Sequence, residues 1–164
     1  GISPKLFLGN KLSINPNSFD LSIGNETYTN LTARWLMFHL LSCILKRGGK
    51  PEDLIKAVPK KHINLFEVFE GTLTREKLIE KLKDKDKERR IAQQKSYVTK
   101  HGFIRFFTEE GQFFHIDGQT YTLTNQWSIK ETAHVETLIA MFDYMQITVT
   151  PRHPLSTRRP LKYL

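Results

Sequence analysis

Apolar and polar residues alternate along two stretches of the chain, and a period of two predicts β-strands. Residues 19–29 read as two short strands around a Gly-Asn turn. Residues 96–127 are richer in aromatic and β-branched residues and contain two turn signals, at 109–112 and at Asp117-Gly118. An Asp-Gly pair favours a tight hairpin because both central positions can take a positive φ. The pattern therefore predicts an N-terminal hairpin and a three-stranded antiparallel meander over 96–127.

Two other stretches show helical spacing of their apolar residues. Residues 31–46 are apolar around most of the helix circumference, which predicts a buried helix with Asn30 as its N-cap and a stop at Gly48-Gly49. A serine followed three residues later by glutamate, at 128–131, is a capping box, and it predicts a helix over 129–145 with one apolar face. We expect both helices to pack on the sheet.

A third helix is predicted over residues 74–95, where charges dominate and the apolar stripe is narrow. Thr72 or Thr74 is suited to cap it. Between residues 75 and 100 there are ten Lys and Arg against five Asp and Glu. Two interpretations stay open for this excursion: a solvated helix stabilised by ion pairs, or a surface that contacts phosphates.

Shorter segments complete the chain. Residues 51–58 open with proline and two acids, which predicts a short helix. Residues 63–69 fit a strand or a helical turn equally well, and residues 147–150 read as an edge strand bounded by Pro151. We predict an α+β fold with one domain over residues 1–150, followed by a basic, proline-rich tail or linker at 151–164.

The net charge of the chain adds an expectation about the class of partner that the domain binds. The chain has 164 residues, of which 39% are hydrophobic, and 25 Lys and Arg exceed 17 Asp and Glu to give a net charge of +8. Such a balance favours a polyanionic partner, nucleic acid before a membrane surface. There is no run of 18 apolar residues and no signal-peptide pattern. We expect a cytoplasmic protein with no membrane partner.

The residues that usually carry chemistry are scattered. The histidines lie at positions 39, 62, 101, 115, 134 and 153, without ligand spacing, and no glycine-rich phosphate loop precedes a helix. Cys43 lies in an apolar run and is interpreted as a small buried hydrophobe, and His39 as a hydrogen-bonded residue at the core edge. We expect no catalytic residues, no metal and no cofactor.

The aromatic residues of 96–127 outnumber what one buried sheet face requires. They could stack on bases, but we interpret them as a core shared with the helices at 31–46 and 129–145. The aromatic residues in question are Phe103, Phe106, Phe107, Phe113, Phe114, Tyr121 and Trp127.

The order of elements in residues 19–145, together with the run GQTYTLTNQWS at 118–128 that leads into a capped helix, resembles a small α+β module of bacterial restriction and phage-defence proteins. This resemblance implies an accessory domain that helps a nuclease or ATPase partner engage DNA and that has no catalytic residues of its own. It also implies that other domains or subunits of a larger assembly are partners.

We therefore predict a non-catalytic DNA-binding or target-recognition module that contacts the phosphate backbone. The cations predicted to contact phosphates are Arg75, Lys83, Lys87, Arg89, Arg90, Lys95, Lys100 and Arg105. Two alternatives stay open. One is a protein-interaction or oligomerisation domain, and the other is a metal-dependent nuclease that uses Glu67, Glu70 and Asp117.

Overall fold

The computed structural model describes residues 18–152 and confirms the α+β fold class. The strands are β1 Ser18–Ile23, β2 Glu26–Leu31, β3 Phe66–Glu70, β4 Phe113–Ile116, β5 Gln119–Leu123 and β6 Ile147–Arg152. The α-helices are α1 Ala33–Lys46, α2 Pro51–Ala57, α3 Arg75–Ile91 and α4 His134–Met141, and two short 3₁₀ helices are Ile129–Ala133 and Asp143–Met145.

The strands form two antiparallel sheets, with the orders β2-β1-β6 and β3-β5-β4. The single sheet expected to join the N-terminal hairpin to residues 96–127 is thus replaced by two. The described residues form two compact units, a terminal unit of residues 18–57 and 127–152 and a central unit of residues 58–126. Each unit is described by itself. The prediction of one domain over residues 1–150 stays a prediction.

The terminal unit is built around β1, the middle strand of its sheet. Phe19, Leu21 and Ile23 are fully buried, as their period of two requires of one strand face. Helix α1 packs on this strand through an apolar surface that covers most of its circumference. The predicted hairpin, the buried helix and the short helix after it are all confirmed.

Two predicted boundaries in the terminal unit are wrong. Asn30 does not cap α1, because it still belongs to β2, with φ at 58° at an irregularity in the β1–β2 pairing. Its backbone N–H donates to Asp20 Oδ1 at 2.9 Å, and the helix begins after Thr32 instead. Pro151 does not end β6 either, since Pro151 and Arg152 pair with β1. An edge strand tolerates proline because its outer N–H groups need no partner. The rest of the predicted tail, from residue 153, lies outside the described residues.

The predicted capping box at Ser128 and Glu131 is confirmed. Glu131 accepts a hydrogen bond from the backbone N–H of Ser128 at 3.0 Å. The predicted continuous helix over 129–145 is instead a 3₁₀ turn, then α4, then a second 3₁₀ turn. Cap chemistry therefore specified where the helical segment begins but not the type of each turn in it.

The central unit has β5 as its middle strand, and the Asp117-Gly118 hairpin between β4 and β5 is confirmed. Asp117 and Gly118 have φ of 50° and 74°, the left-handed conformation that this turn requires. The third strand is β3, which resolves the open interpretation of residues 63–69. The strand expected before β4 is wrong: within 98–107, pairing is limited to the single bridges Val98–Ile104 and Phe106–Thr124.

The strand expected before β4 is missing because the residues on both sides of the 109–112 turn pair with the same edge. Phe113 pairs with β5 at Thr122, and Phe106 forms a bridge with Thr124, the residue that follows β5. Residues 108–112 therefore leave and rejoin the same edge. Backbone hydrogen bonds still form there, from the N–H of Phe107 to the carbonyl of Leu123 and from the N–H of Asn125 to the carbonyl of Arg105. The hydroxyls of Thr122 and Thr124 add to them by donating to the carbonyls of Phe107 and Arg105 at 2.7 and 2.9 Å. The turn at 109–112 exists, but it reverses no strand pair.

Helix α3 supplies the core of the central unit. Leu78 and Leu82, the narrow apolar stripe of the charged segment, are buried against Ile63, Tyr97 and Phe106. The aromatic residues of 96–127 were expected to pack against the helices at 31–46 and 129–145, and Tyr97 and Phe106 pack against α3. The charged segment predicted at 74–95 therefore provides the core helix of this unit, and the other faces of α3 carry the cations.

Candidate nucleic-acid interface

Helix α3 places most of the predicted cations along one rigid element. Thr74 caps it, its hydroxyl accepting a hydrogen bond from the backbone N–H of Lys77 at 3.3 Å. The 17 residues of the helix span about 25 Å. Lys83, Lys87 and Arg90 follow one another at spacings of four and three residues, which brings them to one side of the C-terminal half.

Asp86 anchors the following segment to this side of α3. Its carboxylate is 5% exposed and accepts hydrogen bonds from Ser96 Oγ at 2.5 Å and from the backbone N–H of Tyr97 at 2.8 Å. Arg90 Nε lies 3.1 Å from its other oxygen. A buried carboxylate with three partners is a fixed attachment point, so residues 96–97 are held against the helix.

Acid is expected to weaken this attachment. Burial by itself would raise the pKa of Asp86, but the hydrogen bonds from Ser96 and Tyr97 and the charge of Arg90 outweigh it and lower the pKa below the ordinary value of 3.8. The carboxylate therefore stabilises the fold fully above that value, and the contribution is lost as pH falls through the lower, folded-state pKa.

Asp86→Asn should remove this part of the acid dependence. We expect the wild-type central unit to lose stability below about pH 4 more steeply than the variant, measured by urea unfolding followed through NMR signals of residues 58–126. Asp84→Asn, an exposed position on the same helix, is the matched control and should behave as wild type. Equal acid dependence in Asp86→Asn and wild type would contradict the assignment.

Arg89 joins three parts of the central unit. Its guanidinium carbon lies 4.3 Å from the centroid of the Tyr97 ring, a cation–π contact. Nε donates to the carbonyl of Lys95 at 2.8 Å and Nη2 to the carbonyl of His62 at 3.2 Å. Arg89 thus holds residues 62 and 95 beside the end of α3, and its charge stays at the surface between them.

A depression of about 350 Å³ opens at this junction and is lined mainly by polar and cationic side chains. Its lining residues are Lys60, Lys61, His62, Ile63, Asn64, Arg89, Gln93, Gln94 and Lys95. Four of them are cations and none is an acid, so the lining itself carries an excess of positive charge. Lys60 Nζ also donates to the carbonyl of Gln126 at 2.6 Å, which fixes its position.

A second depression, of about 430 Å³, lies along the Lys83 side of α3. It is lined by Lys83, Asp86, Lys87, Arg90, Ser96, Val98 and Thr99. Its one acid, Asp86, is buried and paired, so two lysines remain without an ion-pair partner in the described part of the chain. We call the cations of both depressions the basic surface: Lys60, Lys61, Lys83, Lys87, Arg89, Arg90 and Lys95.

Five of the eight predicted cations belong to the basic surface, and three lie elsewhere. Arg75 is at the opposite end of α3, where it forms an ion pair with Glu109 at 3.0 Å. Arg105 is half-buried and donates to Gln126 Oε1 at 2.7 Å. Lys100 is exposed on a turn and directly follows Thr99, a residue that lines the second depression. Sequence reasoning missed Lys60 and Lys61, although two adjacent lysines before a histidine were a visible signal.

The carboxylates considered for a nuclease do not form a cluster. Glu67 is 6% exposed and accepts hydrogen bonds from the Tyr97 hydroxyl and from Asn64 Nδ2, the latter at 2.8 Å. Glu70 accepts one from Gln119 at the far end of β3, and Asp117 forms the hairpin turn. Within residues 18–152, no three His, Cys, Asp or Glu side chains lie close enough together to hold a metal ion.

His39 and Cys43 lie on α1 in a polar cluster of the terminal unit. The His39 ring stacks on Tyr28 with 4.2 Å between ring centroids, and its burial lowers the pKa of the imidazole. The Tyr28 hydroxyl donates to Glu26 at 2.6 Å and lies 3.7 Å from Cys43 Sγ. Cys43 is 1% exposed, which agrees with its interpretation as a buried residue.

Comparison of the chain with protein-family models, with curated proteins and with solved structures gives no match. Along residues 18–152, none of the helices combines the length and the apolar character needed to cross a membrane. The geometry of the basic surface is therefore the basis for any functional proposal.

Proposed function

We propose that this protein is a non-catalytic DNA-binding module that contacts phosphates through the basic surface of its central unit. One observation carries the proposal: four cations surround the first depression, and no acidic side chain lines it. Phosphate oxygens are the anions most often bound by such groups of lysine and arginine in nucleic-acid-binding proteins.

The spatial arrangement supports a polymer more than a single small anion. The two depressions together present cations from both sides of the C-terminal half of α3, and the segment after the helix lines the first with residues 93–95 and the second with Ser96, Val98 and Thr99. Successive phosphates of a DNA strand lie several ångströms apart, so a row of separated charges suits them better than one enclosed pocket. Arg89 and Arg90 are held by contacts with the protein, which limits the entropy that they lose on binding.

The resemblance to accessory modules of restriction and phage-defence proteins extends the proposal. In that setting the chain would recognise a DNA target for a nuclease or ATPase partner within a larger assembly.

A salt titration tests the proposal directly. Fluorescence anisotropy with duplex and single-stranded DNA should give measurable binding at ~50 mM salt, with log K falling linearly against log salt. If Lys61, Lys83, Lys87 and Lys95 each neutralise one phosphate, the slope for duplex DNA should be steeper than about −3. No binding to either form at ~50 mM salt would refute the proposal, since phosphate contacts are strongest there.

A further inference from the structure

The turn of residues 99–103 begins at a residue that lines the second depression and carries an aromatic side chain into solvent. Phe103 is 71% exposed, far more than the other aromatic residues of the central unit, whose rings are buried or half-buried. Exposing a phenylalanine ring forgoes about 2 kcal/mol of burial energy, so an exposed ring at the end of a hydrogen-bonded turn calls for an explanation.

The turn itself is well defined by hydrogen bonds. The backbone N–H of Thr99 donates to the carbonyl of Phe103 at 2.8 Å, and that of Gly102 to the carbonyl of Thr99 at 2.9 Å. The Thr99 hydroxyl accepts from the N–H of Phe103 at 3.0 Å, and Gly102 has φ of 86°. These contacts fix the backbone of Phe103 without burying its ring.

The base of the turn is attached to α3. Val98 bridges Ile104, Tyr97 is fully buried in the core, and Ser96 hydrogen-bonds to Asp86. Because Asp86 belongs to the same helix as Lys83 and Lys87, the turn is held in a constant position relative to the cations of the second depression.

The chemistry around Phe103 is that of a nucleic-acid strand contact. Val98 and Thr99 line the second depression, and Lys100 is the next residue, exposed and without an ion-pair partner in the described part of the chain. A flat apolar ring next to separated cations matches the alternation of base and phosphate along a single strand.

We propose that Phe103 stacks on an unpaired base of single-stranded DNA, while Lys100 and the second depression contact the flanking phosphates. This inference rests on the proposed DNA-binding function and names the form of DNA that the surface prefers. A single strand presents the faces of its bases, whereas a duplex buries them, and inserting a ring into a duplex costs several kilocalories per mole of unstacking. The surface therefore favours single strands over duplexes.

Phe103→Ala is the decisive variant. Its ring is exposed, so the fold should be retained. Anisotropy with a labelled oligo(dT) of ~15 nucleotides should show affinity reduced by about 5- to 150-fold, the range measured for loss of one base-stacking aromatic. The slope of log K against log salt should not change, because no charge has been removed.

Two further variants give a matched comparison. Ile91→Ala removes a side chain that is 85% exposed in the same unit and should bind oligo(dT) as wild type. Phe103→Trp keeps a stacking ring, so it should retain affinity, and its indole fluorescence should be quenched on adding oligo(dT).

The outcomes separate this inference from the proposed function. Wild-type affinity for oligo(dT) in Phe103→Ala, or an equal loss for duplex DNA and oligo(dT), would overturn the stacking role while leaving phosphate binding intact. An absence of any DNA binding by the wild-type protein would overturn both.

Discussion

Replacing Tyr97 by alanine is expected to lower the free energy of unfolding of the central unit by about 3–5 kcal/mol, the cost typical of deleting a buried aromatic side chain. Tyr97 is fully buried, and its ring lies 4.7 Å from that of Phe106 between ring centroids. The substitution also removes the cation–π contact between the Tyr97 ring and the guanidinium of Arg89. Tyr97 therefore contributes both to the core against α3 and to the contacts that position Arg89 at the basic surface.

The Tyr97 hydroxyl adds a second effect. It donates to the buried Glu67 carboxylate, and burial, followed by this hydrogen bond, raises the pKa of the phenol, which stays protonated and able to donate. Tyr97→Phe should cost about 1–3 kcal/mol, because the carboxylate loses a donor that water cannot replace. The difference between Tyr97→Ala and Tyr97→Phe then measures the packing of the ring.

Urea unfolding followed by NMR signals of residues 58–126 measures both effects. Phe103→Ala, which removes an exposed aromatic side chain from the same unit, is the control and should change stability by less than about 0.5 kcal/mol. A loss below about 1 kcal/mol in Tyr97→Ala would contradict the role of Tyr97 as the centre of this core.

Neutralising four lysines of the basic surface is expected to flatten the salt dependence of DNA binding. The variant carries glutamine at Lys61, Lys83, Lys87 and Lys95, none of which has an ion-pair partner within the described residues. Each lost phosphate contact changes the slope of log K against log salt by about 0.9 for duplex DNA. Between ~50 and ~200 mM salt, the wild type should therefore lose about a hundredfold more affinity than the variant does.

The control for this experiment has the same net charge and a different charge distribution. It carries glutamine at four exposed lysines of the terminal unit, Lys46, Lys50, Lys56 and Lys130. Both variants lower the net charge of +8 by four units, so long-range attraction changes equally. Equal binding by the two variants would show that net charge, and no particular surface, governs affinity.

The protein-interaction alternative predicts a different pattern. A domain that pairs with another protein chain would show concentration-dependent association by light scattering, with no DNA binding at low salt. The exposed apolar side chains Phe103 and Ile91 would then both weaken association on truncation. Under the DNA-stacking proposal, only Phe103 has an effect, so the same two variants discriminate between the functions.

Local signals predicted the elements whose information lies within a few residues. The Asp117-Gly118 turn, the Ser128–Glu131 capping box and the buried helix at 31–46 are all confirmed, because each depends on the conformational preference or the spacing of adjacent side chains. The Asn30 cap failed because strand pairing with β1 took precedence over a favourable local cap.

The candidate site was only partly predictable for a related reason. Lys83, Lys87, Arg89, Arg90 and Lys95 are close in sequence, so helical spacing alone brings them together. Lys60 and Lys61 are more than twenty residues away, and long-range contacts bring them to the same depression, among them the hydrogen bonds from Arg89 to the carbonyl of His62 and from Lys60 to the carbonyl of Gln126. Long-range contacts of this kind leave no pattern in the sequence.

By itself, the sequence determined the α+β class, the tight hairpin between β4 and β5 and the basic character of the charged helix, since these follow from propensity, turn chemistry and charge. Only the tertiary structure decided that the strands form two sheets, that β3 joins β5, and that α3 is a core helix as well as a charged surface. The physical reason is that strand partners and core contacts depend on which apolar surfaces bury one another across the whole chain, and local pattern does not specify that choice.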